Sequence, residues 1–166
     1  MTELTVARVD WFDPRAVALR EAMDAETGAM YAEFVAQVSD DGRAAIDEAL
    51  TIDPERILVT FLALDGDEPV GHTAVRGVIG EGHPDALEVK KVFVVPDHRS
   101  AGIARRLLAE SEQYAIGAGF TALVLQTGPL QEAAIRLYER IGYHPIPPFG
   151  DYGVIPGALC FRKVLA

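Results

Sequence analysis

Between Val92 and Ala104 the chain reads Val-Phe-Val-Val-Pro-Asp-His-Arg-Ser-Ala-Gly-Ile-Ala. Three valines and a phenylalanine ahead of a proline predict a strand that must stop there, because proline has no N–H for a sheet ladder. A short polar loop follows. Gly102 then opens a helix running to Ala118, with Ile103, Leu107, Leu108, Tyr114 and Ala115 on one face. The first turn of a helix carries N–H groups without intrahelical partners, and its dipole favours negative charge. Gly102 and Ala104 add no bulk, so a phosphate can approach the backbone closely. The segment predicts a pyrophosphate cradle and hence a nucleotide-like cofactor. An ordinary strand-to-helix turn has the same outline, so the rest of the chain must decide.

The flanking elements place this joint in one domain over residues 1–166. Leu4 to Val9 alternates as a first strand, and Asp13-Pro14 supplies an N-cap with proline at the first helical position. Helical spacing continues through Met30, Phe34 and Val38 as two helices broken near Gly28, and Asp40-Asp41-Gly42 ends that region. Ile46 to Thr51 is ambiguous, at most a short helical turn. Ile57 to Leu64 is an unbroken apolar run of strand length, the pattern of a sheet covered on both faces. Val70 to Ile79 and Ala86 to Val95 read as the next two strands, and Thr121 to Gln126 as a buried one. Gln131 to Ile141 repeats its apolar side chains at helical spacing, and Gly142 ends it. Tyr143 to Ile146 and Ala158 to Val164 close the chain as strands around a Pro/Gly-rich loop at 147–157. The order β-α-α-β-β-β-α-β-α-β-β predicts an α/β (α+β) domain with a mixed sheet of about seven strands flanked by helices.

Several segments taken in this order resemble the GNAT N-acetyltransferase superfamily, over about residues 56–165. Arg99-x-x-Gly102-x-Ala104 is similar to that family's pyrophosphate motif. Glu88-Val89-Lys90-Lys91-Val92-Phe93-Val94 resembles the strand feeding it, and Leu125-Gln126-Thr127-Gly128 the end of the fifth strand. Ala133 to Tyr143 matches the family's A-x-x-L-Y-x-x-x-G-aromatic pattern, and Pro147 to Tyr152 with Cys160 to Lys163 resembles the tail of one subgroup. The resemblance implies acetyl-CoA as co-substrate, no metal, and transfer of acetyl to a primary amine. It implies that the backbone of Phe93, Val94 and Val95 holds the pantetheine arm where the fourth and fifth strands splay. Arg99, Ser100, Ala101, Gly102, Ile103, Ala104 and Arg105 would then surround the pyrophosphate. Ser100 stands where the family usually has glycine, and Ala101 where it often has a basic residue. Acetyl-CoA binding is expected to survive both departures with altered affinity.

Transfer to an amine needs a neutral nucleophile, donors for the tetrahedral oxyanion, and a proton for the departing thiolate. By the same resemblance Tyr138 is the candidate acid; a phenol near its reference pKa of about 10 holds its proton at neutral pH. Its periodicity alone would equally make it a core residue. Glu88 is the candidate base, directly or through water, although a surface carboxylate paired with a lysine would look the same. His72 competes for that role. Tyr152 is assigned to the acceptor pocket or to a turn. His83 and His98 lack metal-ligand spacing, and Cys160 reads as a core thiol.

Charge narrows the partners. Residues 1–55 hold 13 acids against four arginines, whereas residues 56–166 are nearly balanced, for a net charge of −10 overall. Nucleic acid is excluded by that balance. The basic residues Lys90, Lys91, Arg99, Arg105 and Arg106 cluster around the cradle, where a polyanion would sit. The acidic first third is either solvated helix surface or a wall attracting a cationic small-molecule amine. No apolar run approaches the length that spans a bilayer, and Met1 to Leu4 resemble no secretory leader. The lone Cys160 fits a reducing cytoplasm. A non-catalytic acyl-CoA sensor and a protein or peptide N-acetyltransferase are the competing functions. The sequence fixes no oligomeric state; a homodimer is compatible with it.

Overall fold

The structure is a computed structural model that describes residues 3–166, so Met1 and Thr2 fall outside the account. Seven strands form one sheet: β1 (Leu4–Val9), β2 (Ile57–Asp65), β3 (Glu68–Gly77), β4 (Ala86–Val94), β5 (Ala122–Thr127), β6 (His144–Ile146) and β7 (Leu159–Val164). Five helices flank it: α1 (Pro14–Met30), α2 (Ala32–Ala36), α3 (Asp40–Leu50), α4 (Ile103–Gly117) and α5 (Glu132–Arg140). The sheet order is β1-β2-β3-β4-β5-β7-β6. All neighbours are antiparallel except β4 and β5, which run parallel. The mixed seven-stranded sheet agrees with the order expected from the sequence.

The apolar run of β2 serves both faces. Phe61 and Ala63 join Leu107, Leu108 and Tyr138 in the main core beneath α4 and α5. Leu62 packs on the other face with Ala16 and Leu19 of α1 and with Phe93. Near β5, that face is covered by Phe149 and Tyr152, which lie against Ala122, Val124 and Cys160. α4 lies very close to β3: an added Cβ at Gly71 would sit 3.0 Å from both Ile103 Cγ2 and Leu107 Cδ1. The sheet there admits glycine and little else.

Two helical boundaries differ from the sequence expectation. α1 runs through Gly28 and ends at Met30, so the break falls at Tyr31. Asp40-Asp41-Gly42 begins a helix where an end was expected. Ser39 caps α3 by accepting from the Gly42 amide at 3.1 Å, and both aspartates sit in its first turn, where the helix dipole favours them. Of the ambiguous stretch 46–51, Ile46 to Leu50 is thereby the second half of an eleven-residue helix and Thr51 its extended C-cap. The loop 147–157 contains a 3-10 turn, Gly150–Val154, that carries Tyr152.

Candidate active site

β4 and β5 pair over only three positions, Ala86↔Ala122, Leu87↔Leu123 and Glu88↔Val124. Beyond them the strands diverge, and a cavity of about 420 Å³ opens in the split. One wall is formed by Val89 to Val92 and the other by Leu125 to Gly128, with Tyr138 of α5 also in the lining. The opposite side comes from the N-terminal helices: Met23 and Asp24 of α1, Phe34 of α2, and Ile46, Asp47 and Leu50 of α3.

A bulge shapes the β4 wall. His72 pairs with Phe93 and Ala74 with Lys90, so β4 spends one residue more than β3 over that interval. Lys91 takes up the excess at φ 54°, one of two non-glycine residues with positive φ among the described residues. His72 holds the bulge in place. Its Nδ1 lies 2.8 Å from the Lys91 carbonyl and its Nε2 lies 3.0 Å from Arg20 Nη1. Because Arg20 can only donate, Nε2 accepts and Nδ1 donates. Burial pushes the imidazole down to about 4, so it is neutral at pH 7. His72 is fully buried and does not line the cavity, which removes it as a base for bound substrate.

The cradle lies at the far end of β4. Ser100 at φ 65° and Gly102 at φ 79° are both left-handed, and they turn the chain into α4. No side chain caps α4, so its first-turn amides are not taken up by a capping group. An added Cβ at Gly102 would meet nothing within 4 Å; glycine is needed there for its φ. Arg99 anchors the loop. Its Nε donates to the Val94 carbonyl at 2.9 Å, and its guanidinium pairs with Glu26 of α1 at 2.7 Å. Ile103 packs in the core, so only its backbone can serve a ligand. Phe93, Val94 and Val95 fall between cavity and cradle in the chain, and the Val95 amide already donates to Val70 at 2.9 Å. Arg106 reaches away to the Leu4 carbonyl.

Tyr138 lines the cavity and is nearly buried, with Tyr143 edge-on at 5.8 Å. Burial pushes its phenol further up from the usual range, so it remains a proton donor at neutral pH. Glu88 sits at the apex of the split, fully buried and outside the cavity lining. Its Oε1 accepts from Arg76 Nε at 2.8 Å and its Oε2 from the Tyr152 hydroxyl at 2.5 Å. Tyr152 in turn accepts from Arg76 Nη2 at 3.0 Å and from Lys90 Nζ at 2.8 Å. Tyr152 therefore joins Glu88 in a buried network and does not line the cavity. Lys90 belongs to both network and cavity. In the sequence it stands in the motif strand and among the basic neighbours of the cradle, without a catalytic role. Its position two residues past Glu88, on the same face of β4, was the available signal. Arg76, opposite Glu88 in the β3–β4 register, gave no signal of its own.

Tyr31 closes one side of the cleft. Its hydroxyl accepts from the Leu130 amide at 3.1 Å, and an added Cβ at Gly128 would collide with it. This contact ties the α1–α2 junction to the β5–α5 loop. Among the described residues no group of three or more His, Cys, Asp or Glu gathers to hold a metal. Among the described residues no helix is long and apolar enough to cross a membrane.

Comparison with known proteins agrees with this geometry. The family model for the acetyltransferase (GNAT) family matches residues 18–143, and the chain belongs to that family. An IAA acetyltransferase of Azospirillum brasilense is 45% identical over 78 residues, 47% of this chain and 51% of that protein. The matched segment therefore spans about half of that relative. The N-acetyltransferase YhfO of Bacillus subtilis is 31% identical over 74% of this chain and 82% of its own length. A putative acyl-CoA N-acyltransferase structure from Klebsiella pneumoniae superposes with a TM-score of 0.74 at 26% identity, covering 98% of both chains. The PaiA N-acetyltransferase of Thermoplasma acidophilum, solved with coenzyme A, shares the fold at a TM-score of 0.66 and 15% identity over 98% of this chain and 99% of that one.

Proposed function

We propose that this protein transfers the acetyl group of acetyl-CoA to a primary amine of a small molecule, by direct attack within a ternary complex. The observation that carries the reading is the split between β4 and β5, which opens a cavity facing the N-terminal helices, on the same strand whose far end leads into the uncapped start of α4. The pyrophosphate would lie on the amides of residues 100–105, and the pantetheine arm along Phe93, Val94 and Val95. Arg99 holds that loop through Val94 and Glu26 rather than facing outward.

Chemistry follows from placement. The amine nitrogen attacks the thioester carbonyl carbon, the C–S bond breaks, and the leaving thiolate takes a proton from Tyr138, whose phenol faces the cavity. Glu88 acts at a distance: with both oxygens committed, it fixes Tyr152 and Arg76 and so sets the position of Lys90. Asp47 lines the acceptor side, and no cation lies within 4.0 Å of its carboxylate among the described residues, which supports an acceptor that enters as an ammonium ion. The apolar walls of Phe34, Ile46 and Leu50 support an amine with an apolar body. The Azospirillum relative's name, an IAA acetyltransferase, also supports a small acceptor.

Isothermal titration with acetyl-CoA and a free-thiol assay against an amine library test this together. Binding with thiol release dependent on an added small amine supports the proposal. Binding without release to any amine would make the protein a sensor, and release with peptides alone would make it a protein acetyltransferase. No binding at millimolar acetyl-CoA would end the reading altogether.

A further inference from the structure

We infer that Lys90 is the catalytic base, the group that takes the proton from the acceptor's ammonium before attack. This rests on the acetyltransferase reading and deepens it. A base must face the bound amine and be able to exist without its own proton. Of the four residues in the hydrogen-bonded group Arg76, Glu88, Tyr152 and Lys90, Lys90 alone also lines the cavity.

Its surroundings permit the neutral form. Lys90 is 7% exposed, and among the described residues no carboxylate lies within 4.0 Å of its Nζ. The nearby charge of Glu88 is already answered by Arg76. The Tyr152 hydroxyl gives its proton to Glu88, so toward Nζ it can only accept. A neutral amine donates one N–H to Tyr152 as well as an ammonium does, and it keeps a lone pair free. Burial pushes Lys90 down to about 8; Arg76 and Lys91 add to this, while Glu88 and Cys160 oppose it. Asp24, on the cavity wall, is engaged by Lys91 at 2.9 Å. Asp47 is left to meet the incoming ammonium.

The protons balance. The ammonium gives one proton to neutral Lys90 and becomes the nucleophile. It forms the C–N bond as the C–S bond breaks; Tyr138 gives its proton to the thiolate, and the nitrogen's second surplus proton passes through cavity water to the Tyr138 oxygen and restores the phenol. Lys90 then releases its proton to solvent. Water exchange through the cavity resets it.

The test measures kcat/KM for the amine against pH in wild type, Lys90→Met and Lys90→Arg, using an acceptor whose own pKa lies well above 8. Methionine fills the same space without a buried charge, so Lys90→Met should fold and bind acetyl-CoA normally. Wild type should show a rising limb near pH 8. Both variants should lose about a hundredfold at pH 7, with the limb displaced to the pKa of the free amine. A limb that stays near 8 in Lys90→Met, or rescue by Lys90→Arg, which keeps charge but cannot release a proton, would overturn the assignment. Carbon-13 NMR of labelled lysines reads Lys90 directly, and titration above 10 overturns it independently of turnover. Absence of thiol release by wild type with any amine would instead refute the acetyltransferase reading.

Discussion

At the cradle end of the cleft, the proposed recognition of acetyl-CoA rests on backbone: left-handed Ser100 and Gly102, an uncapped helix start, and Arg99 tying the loop to Val94 and Glu26. The opposite end is built from side chains, with Arg76, Glu88, Tyr152 and Lys90 packed out of solvent in one hydrogen-bonded group. Backbone amides at the surface can lose a ligand without cost to the fold, whereas a buried charge that loses its partner destabilises the whole domain. The two ends should therefore fail differently when mutated. Cradle substitutions should change affinity with only a local backbone effect on stability, and network substitutions should change stability first.

The largest effect is expected in the network. Glu88→Ala strands the Arg76 charge and removes the acceptor for Tyr152, and should cost about 3–5 kcal/mol in urea denaturation. Gly102→Ala in the cradle should cost only about 1–2 kcal/mol of backbone strain, while weakening acetyl-CoA in titration calorimetry. Equal losses of stability at both sites would erase the contrast.

Tyr138 sits between the two ends and should behave as neither. It belongs to the core cluster and also lines the cavity, and Tyr138→Phe keeps the ring and its packing. It should lower kcat about a hundredfold, with acetyl-CoA affinity and melting temperature unchanged. Unaltered turnover would remove Tyr138 as the acid and leave it a core tyrosine.

The same contrast explains what could be read in advance. Cradle, motif strand and Tyr138 lie within local patterns, where spacing along the chain is also spacing in space. Glu88 was legible as a residue of that strand, but its role was not. Its partners Arg76 and Tyr152 come from other elements 12 and 64 positions away, and the network exists only after the sheet has formed. The acceptor side was least legible, because Phe34, Asp47 and Leu50 come from helices whose boundaries were themselves misread at Gly28 and at Asp40-Asp41-Gly42. A turn-like tripeptide became a helix start there because Ser39 precedes it.

His72 offers a pH test of the β4 bulge. Burial pushes the imidazole from its ordinary value of 6.5 down to about 4 in the folded protein, so the unfolded chain binds a proton that the folded protein refuses. Its stabilising contribution is complete above pH 6.5 and is lost as pH falls toward 4. Between pH 6.5 and 5 this amounts to about 1.5 kcal/mol. His72→Gln should remove that portion of the acid sensitivity in denaturation curves taken across the interval. An unchanged slope would mean that the imidazole is not the group resisting protonation.

The smallest effect isolates the first of the cradle's two departures from its family pattern. Ser100 adopts φ 65°, a conformation that costs an L-residue about 1–2 kcal/mol and glycine almost nothing. Glycine gives back part of that advantage through the entropy of the unfolded chain, leaving a net gain of about 0.5–1 kcal/mol for Ser100→Gly in thermal or urea unfolding. Acetyl-CoA titration then decides what the serine is for. Affinity that stays level or improves makes Ser100 a tolerated strain at a site recognised through its amide alone. Affinity that falls while stability rises assigns the hydroxyl a hydrogen bond to the cofactor, so that even the backbone-built end of the cleft draws on one side chain.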